Sequence, residues 1–131
     1  MKYLLDTVAW LWSVHSEERL GDEARAILES RQEEIYLSAA TSWELSIKMR
    51  LGKLNFPGPP AVVVPAFMAK QGLRSLAITH LHAVQVYDLP SHHGDPFDRM
   101  IIAQAMVEGM TVLTSDPVFG KYSIDVVWCG K

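Results

Sequence analysis

Short apolar runs alternate along the chain with segments of helical period. Tyr3-Leu4-Leu5 is a brief run that stops at Asp6, after which helical spacing takes over through Val8, Leu11, Trp12 and His15. Asp22 opens a second helical stretch to about Gln32, with Ala24, Ile27 and Leu28 on one stripe, and Ile35-Tyr36-Leu37 is a second strand. A third helix is predicted from Thr41 to about Leu51, with Trp43, Ile47 and Leu51 at i, i+4, i+8 and Gly52 just past its end. Residues 61–71 carry both signals: Val62-Val63-Val64 favours a strand, whereas Phe67, Met68 and the closing Gly72 favour a helix that Pro65 starts or kinks, and the balance falls on helix. Leu76 to Ile78 is a third strand, Thr79 to about Tyr87 a short helix, Pro96 to Glu108 a longer one. Thr111–Thr114 and Val126–Trp128 complete the set as strands four and five.

Strands separated by helices pair in parallel through crossover connections, and parallel sheets covered on both faces read as short apolar runs. The expected fold is α/β, a three-layer α/β/α sandwich around a central, mainly parallel sheet of about five strands. The Asn55–Pro60 piece (NFPGPP) is too short to separate domains, so residues 1–131 are expected to form one. Ligands on such sheets bind outside the carboxyl ends of the strands.

Composition narrows the class. A hydrophobic fraction of 49% supplies a core, and 21% charged residues is too few for a disordered chain. The net charge of -3 excludes a polybasic nucleic-acid binder, though not an enzyme whose acids hold cations. The single cysteine, Cys129, excludes a disulfide framework. The apolar amino end is broken by Asp6 and Thr7, and no run approaches ~18 apolar residues, so the chain reads as soluble and cytoplasmic.

Four acids fall where chemistry is expected. Asp6 ends the first strand, Asp116 follows the fourth, and Glu44 and Asp98 stand in the first turns of their helices. Each has an ordinary structural explanation. Thr41-Ser42-Trp43-Glu44 matches a capping box, and Glu44 can pair with Lys48 at i, i+4. Asp95-Pro96-Phe97-Asp98 and Asp116-Pro117 match helix starts, and Asp6 can cap the helix after it. Separate caps have no reason to converge, however, since carboxylates at ~4 Å repel by about 4 kcal/mol per pair at an effective dielectric of 20. A pocket for Mg²⁺ or Mn²⁺ does need converging oxygens.

The stretches YLLDTVAWLW, LSAATSWELSIKMRLGKL, HHGDPFDRMIIAQAMVEG and TVLTSDPVFGKY, in that order, resemble the PIN domain, and within it the VapC-type toxins of bacterial toxin–antitoxin pairs. The block from Asp95 to Gly109 is the most specific part. The resemblance puts the family's acids on Asp6, Glu44, Asp98 (before Met-Ile-Ile-Ala) and Asp116 (after Thr114-Ser115), with Asp95 belonging to a subgroup signature and outside the ligand set.

What the resemblance implies is a Mg²⁺- or Mn²⁺-dependent endoribonuclease. Asp6, Asp98 and Asp116 would hold an ion that activates water for in-line attack on phosphorus, and Glu44 would hold a second ion or orient the water. Thr7 and Thr114 are candidates to position carboxylates from behind, and Arg99, with Lys48, Arg50 and Lys53, to meet the RNA backbone. A VapB-like antitoxin would bury a hydrophobic segment in an apolar groove, for which Trp10, Trp12 and Ala61 to Met68 are candidates, and a homodimer is a further family expectation. Trp43 and Trp128 join the other two tryptophans as candidates for base stacking or core. His92-His93, and His80 with His82, lack the partners of a zinc site and read as loop polarity or substrate contact. A receiver domain would need a second acid beside Asp6 and a phosphoacceptor where Thr79 stands. A haloacid-dehalogenase-type phosphatase would need Asp where Val8 stands. A non-catalytic module on the same fold, or a PIN nuclease of RNA processing without an antitoxin, remains as the alternative.

Overall fold

The computed structural model describes residues 1–131. Its strands are β1 (Lys2–Leu5), β2 (Glu34–Ser38), β3 (Arg74–Leu76), β4 (Thr111–Thr114) and β5 (Val126–Trp128). Its helices are α1 (Thr7–His15), α2 (Asp22–Glu29), α3 (Ala39–Arg50), α4 (Pro60–Gln71), α5 (His80–Gln85) and α6 (Pro96–Glu108), with 3-10 turns at Glu17–Arg19, Val86–Asp88 and Pro117–Lys121. The five strands form one sheet in the order β3-β2-β1-β4-β5, every pair parallel. No helix is long and apolar enough to cross a membrane.

Alternate residues of each strand feed opposite cores. Tyr3 and Leu5 of β1 join Ile35, Leu37 and Leu113 in a cluster with Trp10, Ala24 and Val64 from α1, α2 and α4. Leu4 and Val112 face the other way, into Ile101, Ile102, Ala105 and Phe119. The result is the expected sandwich of helices on both faces of a parallel sheet.

Four local expectations shift. β3 starts two residues early because it must pair with β2, whose last partner, Ser38, faces Leu76; beyond that point β2 has turned into α3 and Ala77-Ile78 have nothing to join. α3 begins at Ala39 rather than Thr41. Its cap is Ser38, whose hydroxyl accepts from the Ala40 N–H at 2.9 Å, so Glu44 sits in the second turn and the Thr41–Glu44 capping box does not form. Residues 61–71 are helical, but Pro60 at the first position starts α4 and Pro65 lies inside it. Pro65 is exposed, and so is Ala61, whose carbonyl cannot take the usual helical bond from it. α2 ends at Glu29, three residues short of the expected end.

Candidate active site

The strand order runs outward from β1 in one direction through β2 and β3 and in the other through β4 and β5, so the order of winding reverses between the parallel neighbours β1 and β4. The carboxyl ends at that reversal are where open α/β sheets bind ligands. Asp6 follows β1 there, its own N–H still bonded to the Leu113 carbonyl of β4 at 3.0 Å. Its carboxylate caps α1 by accepting from the Ala9 N–H at 2.7 Å and takes the Thr114 hydroxyl at 2.6 Å. Both oxygens are thus oriented by the protein, each keeping a lone pair. Thr114 in turn accepts from the Asp116 N–H at 3.0 Å, tying the two acids together through one hydroxyl. Asp116 caps the turn at Pro117, accepting from the Val118 N–H at 3.0 Å.

Glu44 reaches the same edge from α3. Thr7, the first residue of α1, donates to its Oε1 at 2.7 Å, and Lys48 one turn on reaches Oε2 at 2.6 Å. Thr7 also exchanges a hydrogen bond with the buried Thr41 at 3.1 Å. Asp98 enters from α6, whose first turn is fixed by Asp95 accepting from the Phe97 and Asp98 N–H groups, both at 2.9 Å.

Electrostatics link the four. Burial above all, and then the charges of Asp116 and Glu44, push the Asp6 carboxyl up to about 6, against the pull of its bonds from Thr114 and Ala9. Asp98 is pushed up to about 7, again by burial first, then by Asp95, Asp6, Glu44 and Asp116. The charges of Glu44 and Asp116 thus act on both Asp6 and Asp98, and that of Asp6 on Asp98, although no three acidic, histidine or cysteine side chains already stand as a metal-holding group. The donor set is nonetheless of one chemical kind, carboxylate oxygen, which suits Mg²⁺ or Mn²⁺ better than softer ions. The repulsion raising Asp6 and Asp98 is of the sort dipositive charge relieves.

Other predicted residues have different surroundings. The Arg99 guanidinium donates to the carbonyls of Leu89, Pro90 and His93 and to the Tyr122 hydroxyl, at 2.8–3.3 Å, and so braces the loop before α6. Trp10 is wholly buried, stacked on Phe56 with its indole N–H on Gln71, so it cannot line an open groove; α4 instead shows Val62 outward at 62% exposure. Trp12 is half-buried beside Arg19. Trp43 and Trp128 are about half exposed, and Trp43 meets the Phe97 ring next to Glu44 and Asp98. His82 is buried, bonded to Glu108 at 2.8 Å and capping α5 with Thr79, while His80 is exposed. In the sequence Thr41 reads only as part of a capping box and Tyr122 not at all, since nothing local marks a threonine or a lone tyrosine as support for residues far along the chain.

The pattern of the PIN domain matches residues 3–124, and the chain belongs to that family. Ribonuclease VapC16 of Mycobacterium tuberculosis is 44% identical over 61 residues, which are 47% of this chain and 43% of that protein, so the match spans less than half of the relative. Two solved structures are similar over nearly their whole lengths. A VapBC2 complex from Rickettsia felis, bound to a DNA fragment from its promoter, has a TM-score of 0.75 at 16% identity, covering 98% of this chain and 99% of that one. A DNA-bound VapBC from Salmonella typhimurium has a TM-score of 0.72 at 19% identity, covering 97% of each chain. At such identities the likeness establishes the fold.

Proposed function

We propose that this chain is a Mg²⁺- or Mn²⁺-dependent endoribonuclease acting as the toxin of a VapBC-type pair, in the cytoplasm, with a VapB-like antitoxin and a second copy of itself as partners. The observation that supports the reading is the arrangement at the reversal point of the sheet, where the Thr114 hydroxyl joins Asp6 to Asp116, Thr7 at the start of the next helix holds Glu44, and the charges of Glu44 and Asp116 act on both Asp6 and Asp98. Ordinary caps would be dispersed. Membership of the PIN family supports the nuclease part, and the VapC relative and VapBC neighbours support the toxin part.

Asp6, Asp98 and Asp116 would hold the cation. When bound, it supplies positive charge that polarises the phosphodiester and makes water more acidic. Thr114 and the Ala9 N–H fix the Asp6 carboxylate without using its last lone pairs, so the acid is aimed before substrate arrives. Glu44, engaged by Thr7 and Lys48, stands at the side of the site, where it would orient water or balance a second ion. RNA cleavage then needs only a phosphodiester placed in line at this edge.

The test is cleavage of total RNA, with ends mapped, by wild type and Asp98→Asn, with Mg²⁺ and with EDTA. Loss of cleavage in EDTA and in a folded Asp98→Asn variant is expected. Retained cleavage by that variant in Mg²⁺ would remove Asp98 from the site. A wild type that neither cuts RNA nor binds Mn²⁺ would favour a non-catalytic module on the same fold.

A further inference from the structure

Three of the four acids have a hydrogen-bond donor on the carboxylate: Asp6 from Thr114 and Ala9, Glu44 from Thr7 and Lys48, Asp116 from Val118. Asp98 has none, and every neighbour acting on it raises its carboxyl. One donor stands near: His93 Nε2, 3.5 Å from Asp98 Oδ2, shielded from water and without any hydrogen bond of its own. Within this structure it is an orphan aimed at an orphan.

The other end of that ring is held firmly. His93 Nδ1 is 2.7 Å from the hydroxyl of Tyr122, which is 4% exposed, and the same hydroxyl accepts from Arg99 Nη1 at 3.1 Å. Arginine can only donate. If His93 Nδ1 also donated, the phenol oxygen would accept twice and its own buried O–H would have no acceptor, an arrangement costing about 1–3 kcal/mol. The pairing closes when Tyr122 donates to Nδ1. That leaves the proton of the neutral ring on Nε2, facing Asp98. Arg99 fixes the backbone as well, through the His93 carbonyl at 3.3 Å. The adjacent histidine has another use, packing its ring edge-on to Tyr122 at 4.9 Å.

We propose that His93 is a positioning residue for Asp98: the Arg99–Tyr122–His93 chain sets the imidazole as an Nε2–H donor that holds the Asp98 carboxylate in place for a divalent cation. The metal half of this statement rests on the nuclease reading, whereas the tautomer half does not. It also gives Arg99 a task in the site without contact to RNA.

Two measurements test it. Long-range ¹H–¹⁵N correlation spectra in EDTA at pH 8 read the ring directly: an Nε2-protonated His93 whose Nε2 resonance moves in Asp98→Asn is expected. An Nδ1-protonated ring, or an Nε2 resonance indifferent to Asp98→Asn, would overturn the proposal. Mn²⁺ affinity is then compared in wild type, His93→Ala, His93→Gln, His93→Asn and Tyr122→Phe, each checked for folding by circular dichroism. Loss of a group that orients a ligand weakens metal binding about 10-fold or more, which is the loss expected for His93→Ala. Gln places an N–H where Nε2 was and should recover most of it, while Asn, which can only replace the Nδ1 contact with Tyr122, should not. Recovery by Asn and not Gln would make His93 a loop anchor and overturn the idea, as would unchanged affinity in Tyr122→Phe and His93→Ala together. Absence of Mn²⁺ binding by wild type would instead sink the nuclease reading, and the spectra would still decide the His93–Asp98 contact.

Discussion

Replacing Asp6 by Asn should stabilise the protein above neutral pH and leave it nearly unchanged in acid. Asp6 is 2% exposed, and its carboxyl is pushed up from 3.8 to about 6, first by burial and then by the charges of Asp116 and Glu44. Between those two values the folded chain keeps a proton that the unfolded chain has released. Stability from this group is therefore complete below pH 3.8 and is lost as pH rises through about 6. The gap corresponds to ~3 kcal/mol by pH 8. Asn cannot ionise and escapes that loss. It also keeps the cap on the Ala9 N–H, because Asn and Asp cap helices about equally well. The bond from Thr114 to the charged form is already contained in the value of about 6, so its loss takes nothing further from the difference. A net gain of ~3 kcal/mol is therefore expected at pH 8, a rise in Tm of about 10 °C for a chain of this size. Urea unfolding followed by tryptophan fluorescence, in EDTA at pH 4, 6 and 8, reads the free energy, and a thermal scan in the same buffers reads the Tm. Asp98, pushed up to about 7, loses stability with the same sign and titrates together with Asp6, so the midpoint belongs to the pair. A variant less stable than wild type at pH 8, or a difference that does not widen from pH 4 to pH 8, would refute the reasoning.

Two further outcomes are expected. Mn²⁺ at about 100 times its Kd should stabilise wild type by ~2.7 kcal/mol and leave Asp6→Asn/Asp98→Asn unmoved; equal shifts in calorimetric Tm would place the ion elsewhere. Trp10→Ala should cost about 3–5 kcal/mol in urea unfolding, since the indole is fully buried against Phe56 and Phe67. A loss under about 1 kcal/mol would contradict its place in the core.

The fold was legible because parallel strands announce themselves. Leu4, Leu5, Leu37, Val112 and Leu113 are buried whichever face they take, so each strand shows as an unbroken apolar run between helical periods. Pairing limits are not written locally. Whether Ala77-Ile78 is strand depends on where β2 ends, and β2 ends at Ser38 because that hydroxyl caps α3 and also donates to Gln104 of α6. A local cap and one contact from a distant part of the chain thus decided a boundary that period alone put two residues late. Thr41-Ser42-Trp43-Glu44 misled for the same reason: a valid capping box yields when Ser38, three residues earlier, caps the helix and the acid has partners in Thr7 and Lys48.

The site divides along the same line. Asp6, Asp98 and Asp116 stood out as candidates because strand ends and helix starts are local events, and the topology brings those ends to one edge. Their individual roles as caps turned out to be compatible with convergence rather than opposed to it. Asp6 binds the Ala9 N–H with one oxygen and Thr114 with the other, and Asp116 spends a single oxygen on Val118. A carboxylate has about four lone-pair sites, so capping orients the group and still leaves acceptors for a cation. The support around the acids was hidden because it spans the chain. Thr114 meets Asp6 across 108 residues, and Tyr122 meets His93 across 29. No window of sequence joins those pairs. The double histidine before Asp95 could be seen in the sequence, but what it does depends on a tyrosine hydroxyl that only the folded chain delivers to it.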